Sequence, residues 1–247
     1  MIISPPRVWV HIPTYARTSL LREALESVRR QTYKGPVTVY VGNDCPWQHL
    51  SVDFSDWPDN FTVWVDNQLK RAKSLGAKRQ LMLDQTPDDV WIAFLDDDDL
   101  WMPWYLEQSL GVDSPSYDVI NSAVAFTHRH TLWTYDELAG GIPMLVRSEL
   151  ANQAKFPLDC SYGEDNQFRQ KLFALPGISI KQNKRPGYTI RAGGGHVHAS
   201  LANEARFMLS AEVQREKGLE PQGFLTVKAA WDQPYDEILR EKFPEVF

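Results

Sequence analysis

The chain has 247 residues, 43% of them hydrophobic and 23% charged, with a formal net charge of −6. That length holds one large domain or two small ones with a substantial core, and the acidic balance argues against a broad nucleic-acid-binding surface. No apolar run approaches the roughly 20 residues that cross a bilayer, no basic-then-apolar leader opens the sequence, and Cys45 and Cys160 lack metal or redox spacing; no transmembrane segment and a cytoplasmic location with reduced thiols are expected.

In chain order, Arg7–Ile12 reads as a first strand stopped by Pro13. A helix follows, capped by Thr18 or Ser19 and running to about Gln31, with Leu21, Ala24, Leu25 and Val28 spaced as one packing face. Val37–Val41 is a second strand ending at Gly42-Asn43-Asp44-Cys45-Pro46. A polar, turn-rich loop is expected up to Asn60, then a third strand over Phe61–Val65. From about Leu69 to Asp84 the sequence reads as a basic helix, or a loop and helix, carrying Lys70, Arg71, Lys73, Lys78 and Arg79.

The next stretch, Val90-Trp91-Ile92-Ala93-Phe94-Leu95-Asp96-Asp97-Asp98-Asp99, organises the rest. An apolar run without alternation fits a strand buried on both faces. Adjacent carboxylates cannot all be buried and ionised without a cation. A central strand that delivers carboxylates to the edge of a sheet, neutralised by Mg²⁺ or Mn²⁺, accounts for both; the alternative is a solvated acidic turn. Strand–helix–strand alternation implies parallel, doubly wound pairing, and ligands of such sheets bind outside the carboxyl ends of the strands. That rule gathers Pro13–Arg17, Asn43 and Asp44, and Asp96–Asp99 at one crevice.

The second half is less regular. Pro103 opens a helix to about Leu110; Val119–Phe126 and Thr131–Trp133 suggest strands; Gly140–Pro143 is a turn before Met144–Arg147; Ser148–Ala154 is a short helix. Ser161-Tyr162-Gly163-Glu164-Asp165 opens a helix with Phe168, Leu172 and Leu175 on its apolar side. Ile178–Ile180 and Tyr188–Arg191 read as two strands, Gly193–His198 as a loop, and the chain from about Ala202 as helical with a break near Pro221.

Taken together, these pieces resemble the family-two glycosyltransferases. Ile12-Pro13-Thr14-Tyr15-Ala16-Arg17 is similar to that family's Pro-Thr-Tyr-Asn-Arg segment. Asn43-Asp44-Cys45-Pro46 stands at its Asp-Asp-Gly-Ser turn, and Ala77-Lys78-Arg79-Gln80 at its Ala-Arg-Asn element. Phe94–Asp99 resembles its acidic motif, and Gly163-Glu164-Asp165 its Glu-Asp helix start. The departures are Ala16, Asn43, Cys45-Pro46 and Gln80. The resemblance implies the GT-A fold: a single α/β domain with a Rossmann-like mixed central sheet flanked by helices. It places a nucleotide-sugar half at about 1–100, an acceptor half at about 101–200, and a helical extension at 201–247 packed on the same domain.

The resemblance also implies the chemistry. The donor would be a nucleotide diphosphate sugar, uridine-linked, and the transfer inverting and metal-dependent, with Mn²⁺ or Mg²⁺. Asp98 would be the direct metal ligand, with His196 and His198 completing the coordination. Asp96 would reach the ribose, the sugar or the metal through water, with Asp97 and Asp99 in support. Asp44 would accept from a uracil N–H, Pro13, Thr14 and Tyr15 would wall the base, and Arg17 and Arg79 would meet phosphates or base. Asp165, with Glu164 as its rival, would be the general base for the acceptor hydroxyl. Trp101, Trp104 and Trp133 offer an acceptor platform or core packing. The acceptor stays open among glycan, protein, lipid-linked sugar and modified nucleic-acid base. The rival functions are a nucleotidyltransferase and a degenerate nucleotide- or carbohydrate-binding protein.

Overall fold

The first strand, β1 (Val8–Thr14), is the axis of the sheet. It pairs in parallel with β2 (Val37–Asn43) on one side and with β5 (Trp91–Phe94) on the other. Its alternate residues serve two cores. Val8, Val10 and Ile12 pack with Leu21, Ala24, Leu25 and Val28 of helix α1 (Thr18–Arg29). Trp9, on the opposite face, meets the cluster of Leu83, Ile92, Phe94 and Phe168. This two-sided burial is why the strand sequences lack polar alternation. The computed structural model describes residues 4–111, 116–128, 132–137, 141–192 and 221–247.

β4 (Phe61–Asn67) adds in parallel outside β2. Beyond β5 the sheet becomes mixed. β9 (Met144–Arg147) runs antiparallel to both β5 and β7 (Val119–His128), β8 (Leu132–Asp136) pairs with β7 as an antiparallel neighbour, and β10 (Ile180–Ala192) runs parallel to β7. The short β6 (Leu100–Trp101), directly after the acidic run, closes the order β4-β2-β1-β5-β9-β7-β10-β6. Helices α2 (Leu75–Asp84), α3 (Tyr105–Ser109), α4 (Ser148–Ala154) and α5 (Glu164–Phe173) flank it. Among the described residues no helix is long and apolar enough to cross a membrane.

Several boundaries differ from the sequence reading. The stretch read as a loop before Asn60 contains β3 (Gln48–Asp53). Its partner is β11 (Gly223–Lys228), in the stretch read as helical, and the two form a separate parallel pair. Neither strand declares itself locally because its partner is far away in sequence. Helix returns at α6 (Tyr235–Lys242) and in one turn at Pro244–Val246; residues 201–220 lie outside the described residues. The two strands expected over Ile178–Arg191 are one strand, β10, with an irregularity between Asn183 and Tyr188. Pro186 and Gly187 fall there, where a missing donor and a close neighbour are tolerated. A Cβ on Gly187 would lie 2.5 Å from the Tyr105 ring. Trp101 and Trp104 are core residues, 0% and 6% exposed, not an acceptor platform; Trp104 packs with Leu100, Met102, Tyr235 and Leu239, and Trp133 lies against that cluster.

Candidate active site

The strand ends β1, β2 and β5 bring the loop after β1, Asp44 and the acidic run to one edge. The run leaves β5 through a bond from the Leu95 N–H to the His11 carbonyl (3.0 Å). It then turns back on itself, the Asp99 N–H donating to the Asp96 carbonyl (3.0 Å). That turn separates Asp97 from the other three carboxylates. Asp97 faces inward and is 0% exposed. It accepts from Thr14 Oγ1 (2.7 Å) and from Arg17 Nε (3.2 Å) and Nη2. Burial pushes its carboxyl up to about 6, with the Arg17 guanidinium pulling the other way. Asp97 is thus an anchor of the acidic run, held by Thr14 and the Arg17 fork.

Asp96, Asp98 and Asp99 each offer an oxygen, and these oxygens lie within 4.8 Å of one another. Burial raises the Asp99 carboxyl well above the usual range, and Asp98 and Asp96 add to the rise. Asp99 accepts from the Tyr188 hydroxyl (3.0 Å) and from the Arg191 N–H (3.1 Å). Asp98 accepts from Arg17 Nη1 (2.9 Å). An all-oxygen donor set of close, mostly buried carboxylates fits a hard divalent cation. Asp98 was the expected ligand; Asp99 joins the group, which its neighbours in sequence did not reveal.

The loop after β1 is tied to these groups. Pro13 and Thr14 are buried, and Ala16, at the family's Asn position, turns the chain with φ of +52°, a region Asn enters more readily than Ala. Arg17 stands at the N-cap of α1 without a side-chain cap bond, since a guanidinium has no acceptor, and it donates instead to Asp97 and Asp98. Tyr15 packs edge-on against Trp47 at 5.4 Å, and the Arg71 guanidinium lies 4.0 Å over its ring.

Helix α2 begins later than its basic composition implied, where the Ser74 hydroxyl caps the Ala77 N–H (3.0 Å). It turns Lys78 and Arg79 inward, 7% and 2% exposed. Lys78 ion-pairs with Asp44 and donates to the Thr14 carbonyl (2.8 Å). Burial lowers its pKa, and Asp44 opposes that. Asp44, 3% exposed, also accepts from the Ala72 N–H (3.0 Å). A cavity of about 560 Å³ opens beside this pair, between α2 and the ends of β2 and β4, with Tyr40, Gly42, Asp66 and Met82 in its wall.

Arg79 joins the acidic run to α5. Its Nη2 donates to Asp96 (2.5 Å) and its Nε to Glu164 (3.2 Å). Glu164 is 4% exposed; burial raises its carboxyl, and Arg79 opposes the rise. Asp165, next in the first turn of α5, is half-buried, and one of its oxygens accepts from the Asn166 N–H (2.8 Å). The Gly141 turn sits over the other: a Cβ there would be 2.9 Å from Asp165 Oδ2. The two arginines expected at phosphates thus hold carboxylates of this chain. His196 and His198 lie outside the described residues.

Sequence reasoning assigned no role to Glu23, Tyr188 or Arg191. Each is buried, and together they reach the acidic run from α1 and β10. The available signals were an arginine inside an apolar strand and a glutamate beside the packing stripe of α1.

Residues 5–156, more than half of the chain, match the family model described as glycosyltransferase like family 2. The chain belongs to that family. No curated protein matches this family-2 sequence. Among solved structures it is similar to S. aureus TarS 1–349, with a TM-score of 0.60 and 19% identity over 75% of this chain and 60% of that one. It is similar to the same protein in complex with UDP-GlcNAc, with a TM-score of 0.63 and 18% identity over 96% of this chain and 71% of that one. It is also similar to the mannosyltransferase PcManGT from Pyrobaculum calidifontis in complex with GDP-Man and Mn²⁺. There the TM-score is 0.57 and the identity 15%, over 97% of this chain and 70% of that one. The family-2 chain thus spans 60% of the first TarS structure. These likenesses establish the fold, which is GT-A.

Proposed function

We propose that this family-2 protein is a metal-dependent, inverting glycosyltransferase. It takes a sugar from a nucleotide diphosphate sugar, uridine-linked, and passes it to an acceptor hydroxyl. The observation that carries the reading is one juxtaposition. Asp96, Asp98 and Asp99 converge at the strand ends, and Arg79 ties Asp96 to Glu164, the neighbour of Asp165.

Asp96, Asp98 and Asp99 would hold the Mn²⁺ or Mg²⁺ ion, joined in this reading by His196 and His198. When bound, the ion supplies neutralising charge to the departing diphosphate. Thr14 and Arg17 keep Asp97 buried and fix the register of the run. Pro13 and Tyr15 flank the base. Asp44, with Lys78 and the Ala72 N–H already on it, has lone-pair capacity for one further base N–H. Support for uridine comes from that acceptor group and from the TarS complexes with UDP and UDP-GlcNAc; the GDP-Man complex of PcManGT makes GDP-sugars the control.

Asp165 takes the proton of the acceptor hydroxyl as it attacks the anomeric carbon. It sits in the first turn of α5. Glu164 is committed to Arg79, so the pair offers one working carboxylate on the acceptor side, which supports direct displacement with inversion.

The test is nucleotide release from a panel of UDP- and GDP-sugars with Mn²⁺. Asp98→Asn and Asp165→Asn should each lower turnover by about 10²–10⁴-fold, and the anomeric proton of the product should report inversion by NMR. Full turnover in either variant, or a retained anomer, contradicts the assignment.

A further inference from the structure

The acidic run is held from three sides. Thr14 and Arg17 hold Asp97, Arg79 holds Asp96, and β10 holds the end of the run. The third hold is the least expected. Arg191, 2% exposed, donates from Nε to the Asp98 carbonyl (2.5 Å) and from its backbone N–H to Asp99 (3.1 Å). Its Nη1 pairs with Glu23, 4% exposed, on α1. Glu23 is engaged on its other oxygen as well, by the Tyr235 hydroxyl (2.9 Å) and the Asp232 N–H (3.1 Å). A chain of buried polar contacts thus runs from the C-terminal segment, through Glu23 and Arg191, to the Asp98 backbone carbonyl and the Asp99 carboxylate.

We propose that Glu23 is a positioning residue for the cation site: by holding the Arg191 guanidinium on its far side, it keeps that charge off the Asp98 and Asp99 carboxylates. The inference rests on the cation reading above and assigns a role to a residue that does not touch substrate or metal. A buried guanidinium needs a counter-ion. With Glu23 present, that counter-ion is on α1. Without it, the nearest anions are Asp98 and Asp99, whose fields already act on Arg191. Arg191 also carries a buried Nη2 with no hydrogen-bond partner among the described residues, so a donor is available to turn toward them. A second guanidinium turned onto those carboxylates, in addition to Arg17 on Asp98, is a rival to the divalent cation. Outer partners of this kind alter metal affinity by about 10–100-fold.

The experiment measures Mn²⁺ affinity directly, by the EPR signal of free Mn²⁺ in the presence of UDP, together with the metal-free melting temperature. Glu23→Gln should weaken Mn²⁺ binding by about tenfold or more. The double variant Glu23→Gln/Arg191→Gln, which removes the rival charge, should recover most of that affinity although it lacks both partners. A purely structural role predicts the opposite order, with the double variant no better than the single one, and that result overturns the proposal. Wild-type affinity in Glu23→Gln overturns it as well. Should Glu23→Gln fail to fold, Tyr235→Phe decides, because it removes one hydrogen bond from Glu23 and leaves every charge in place. It should weaken Mn²⁺ binding about two- to fivefold, a fraction of the full worth of one hydrogen bond to a charged group because the effect reaches the site through Glu23 and Arg191, and an unchanged affinity overturns the proposal. Failure of wild-type protein to bind Mn²⁺ with any nucleotide would instead refute the cation reading, and the relay with it.

Discussion

Glu164 and Asp165 are adjacent, both acidic and both in the first turn of α5, yet their surroundings separate them. Glu164 is buried and paired with Arg79, whereas Asp165 is half-buried beneath the Gly141 turn. Removing the Glu164 charge leaves the buried Arg79 with Asp96 as its ion-pair partner among the described residues, so Glu164→Gln should destabilise the fold by about 3 kcal/mol, read from urea unfolding. Asp165→Asn should leave the unfolding midpoint nearly unchanged while turnover collapses. Equal stability losses in the two variants would contradict this division of labour. His11 gives a pH prediction. It is 1% exposed, bonded to the Thr86 hydroxyl at 2.8 Å, and its pKa is lowered to about 3, first by burial and then by Arg79. The folded state therefore favours the neutral ring. Its contribution is complete above the unfolded value of about 6.5 and declines as pH falls toward 3. At pH 5 the loss should be about 2 kcal/mol relative to pH 7.5. A His11→Gln variant should lack that part of the slope, and identical slopes would contradict it. At this scale the convergence of the acidic run at the strand ends was legible because Asp96–Asp99 form a short local pattern. Glu23, Arg191 and Lys78 were not, because what gives them meaning is a partner on another element.

Among the elements, α2 carries the most consequence for the site. It presents Lys78 to Asp44 and Arg79 to Asp96 and Glu164, and its place is fixed by a close approach at Gly76. A Cβ there would lie 2.0 Å from the Pro157 carbonyl oxygen and 2.9 Å from that of Cys160. Neither backbone atom can step aside cheaply. Gly76→Ala should destabilise by about 3 kcal/mol and weaken nucleotide binding, because the helix must shift with both basic residues. Unfolding curves and UDP titration check the two effects; a neutral substitution would mean the approach is looser than described. The parallel strands β1, β2, β4 and β5 were legible as short runs rich in β-branched and aromatic residues bounded by turn residues. The helix start at Ser74 was obscured by the basic residues before it, which read as one continuous segment. The β3–β11 pair was hidden for the opposite reason: β3 alternates apolar and polar residues, but over six positions among turn-formers, and β11 has one well-buried residue, Val227.

Over the whole molecule, the C-terminal segment belongs to the same structure as the site. Tyr235, Leu239 and Phe243 cover Leu100, Met102 and Trp104, directly after the acidic run, and β11 pairs along the full length of β3. Ending the chain after residue 222 would strip that cover. Such a truncation should unfold at a much lower temperature than the full chain and expose apolar surface, detected by dye binding and circular dichroism; an unchanged melting temperature would show that the segment is dispensable. The segment was expected to be helical, and its leading strand β11 was not read, since hydrophobic patterning announces burial more clearly than it announces a distant partner.

The central claim is that the strand-end carboxylates form a metal-dependent nucleotide-sugar site. The most direct test is the melting temperature of wild-type protein and Asp98→Asn with UDP, GDP, CDP, ADP and dTDP, each with and without Mn²⁺. UDP with Mn²⁺ near a hundred times its dissociation constant should raise the wild-type value by about 5–10 °C, neither component alone should do so, and Asp98→Asn should lose the effect. No shift with any nucleotide, or the same shift in Asp98→Asn, would contradict the account.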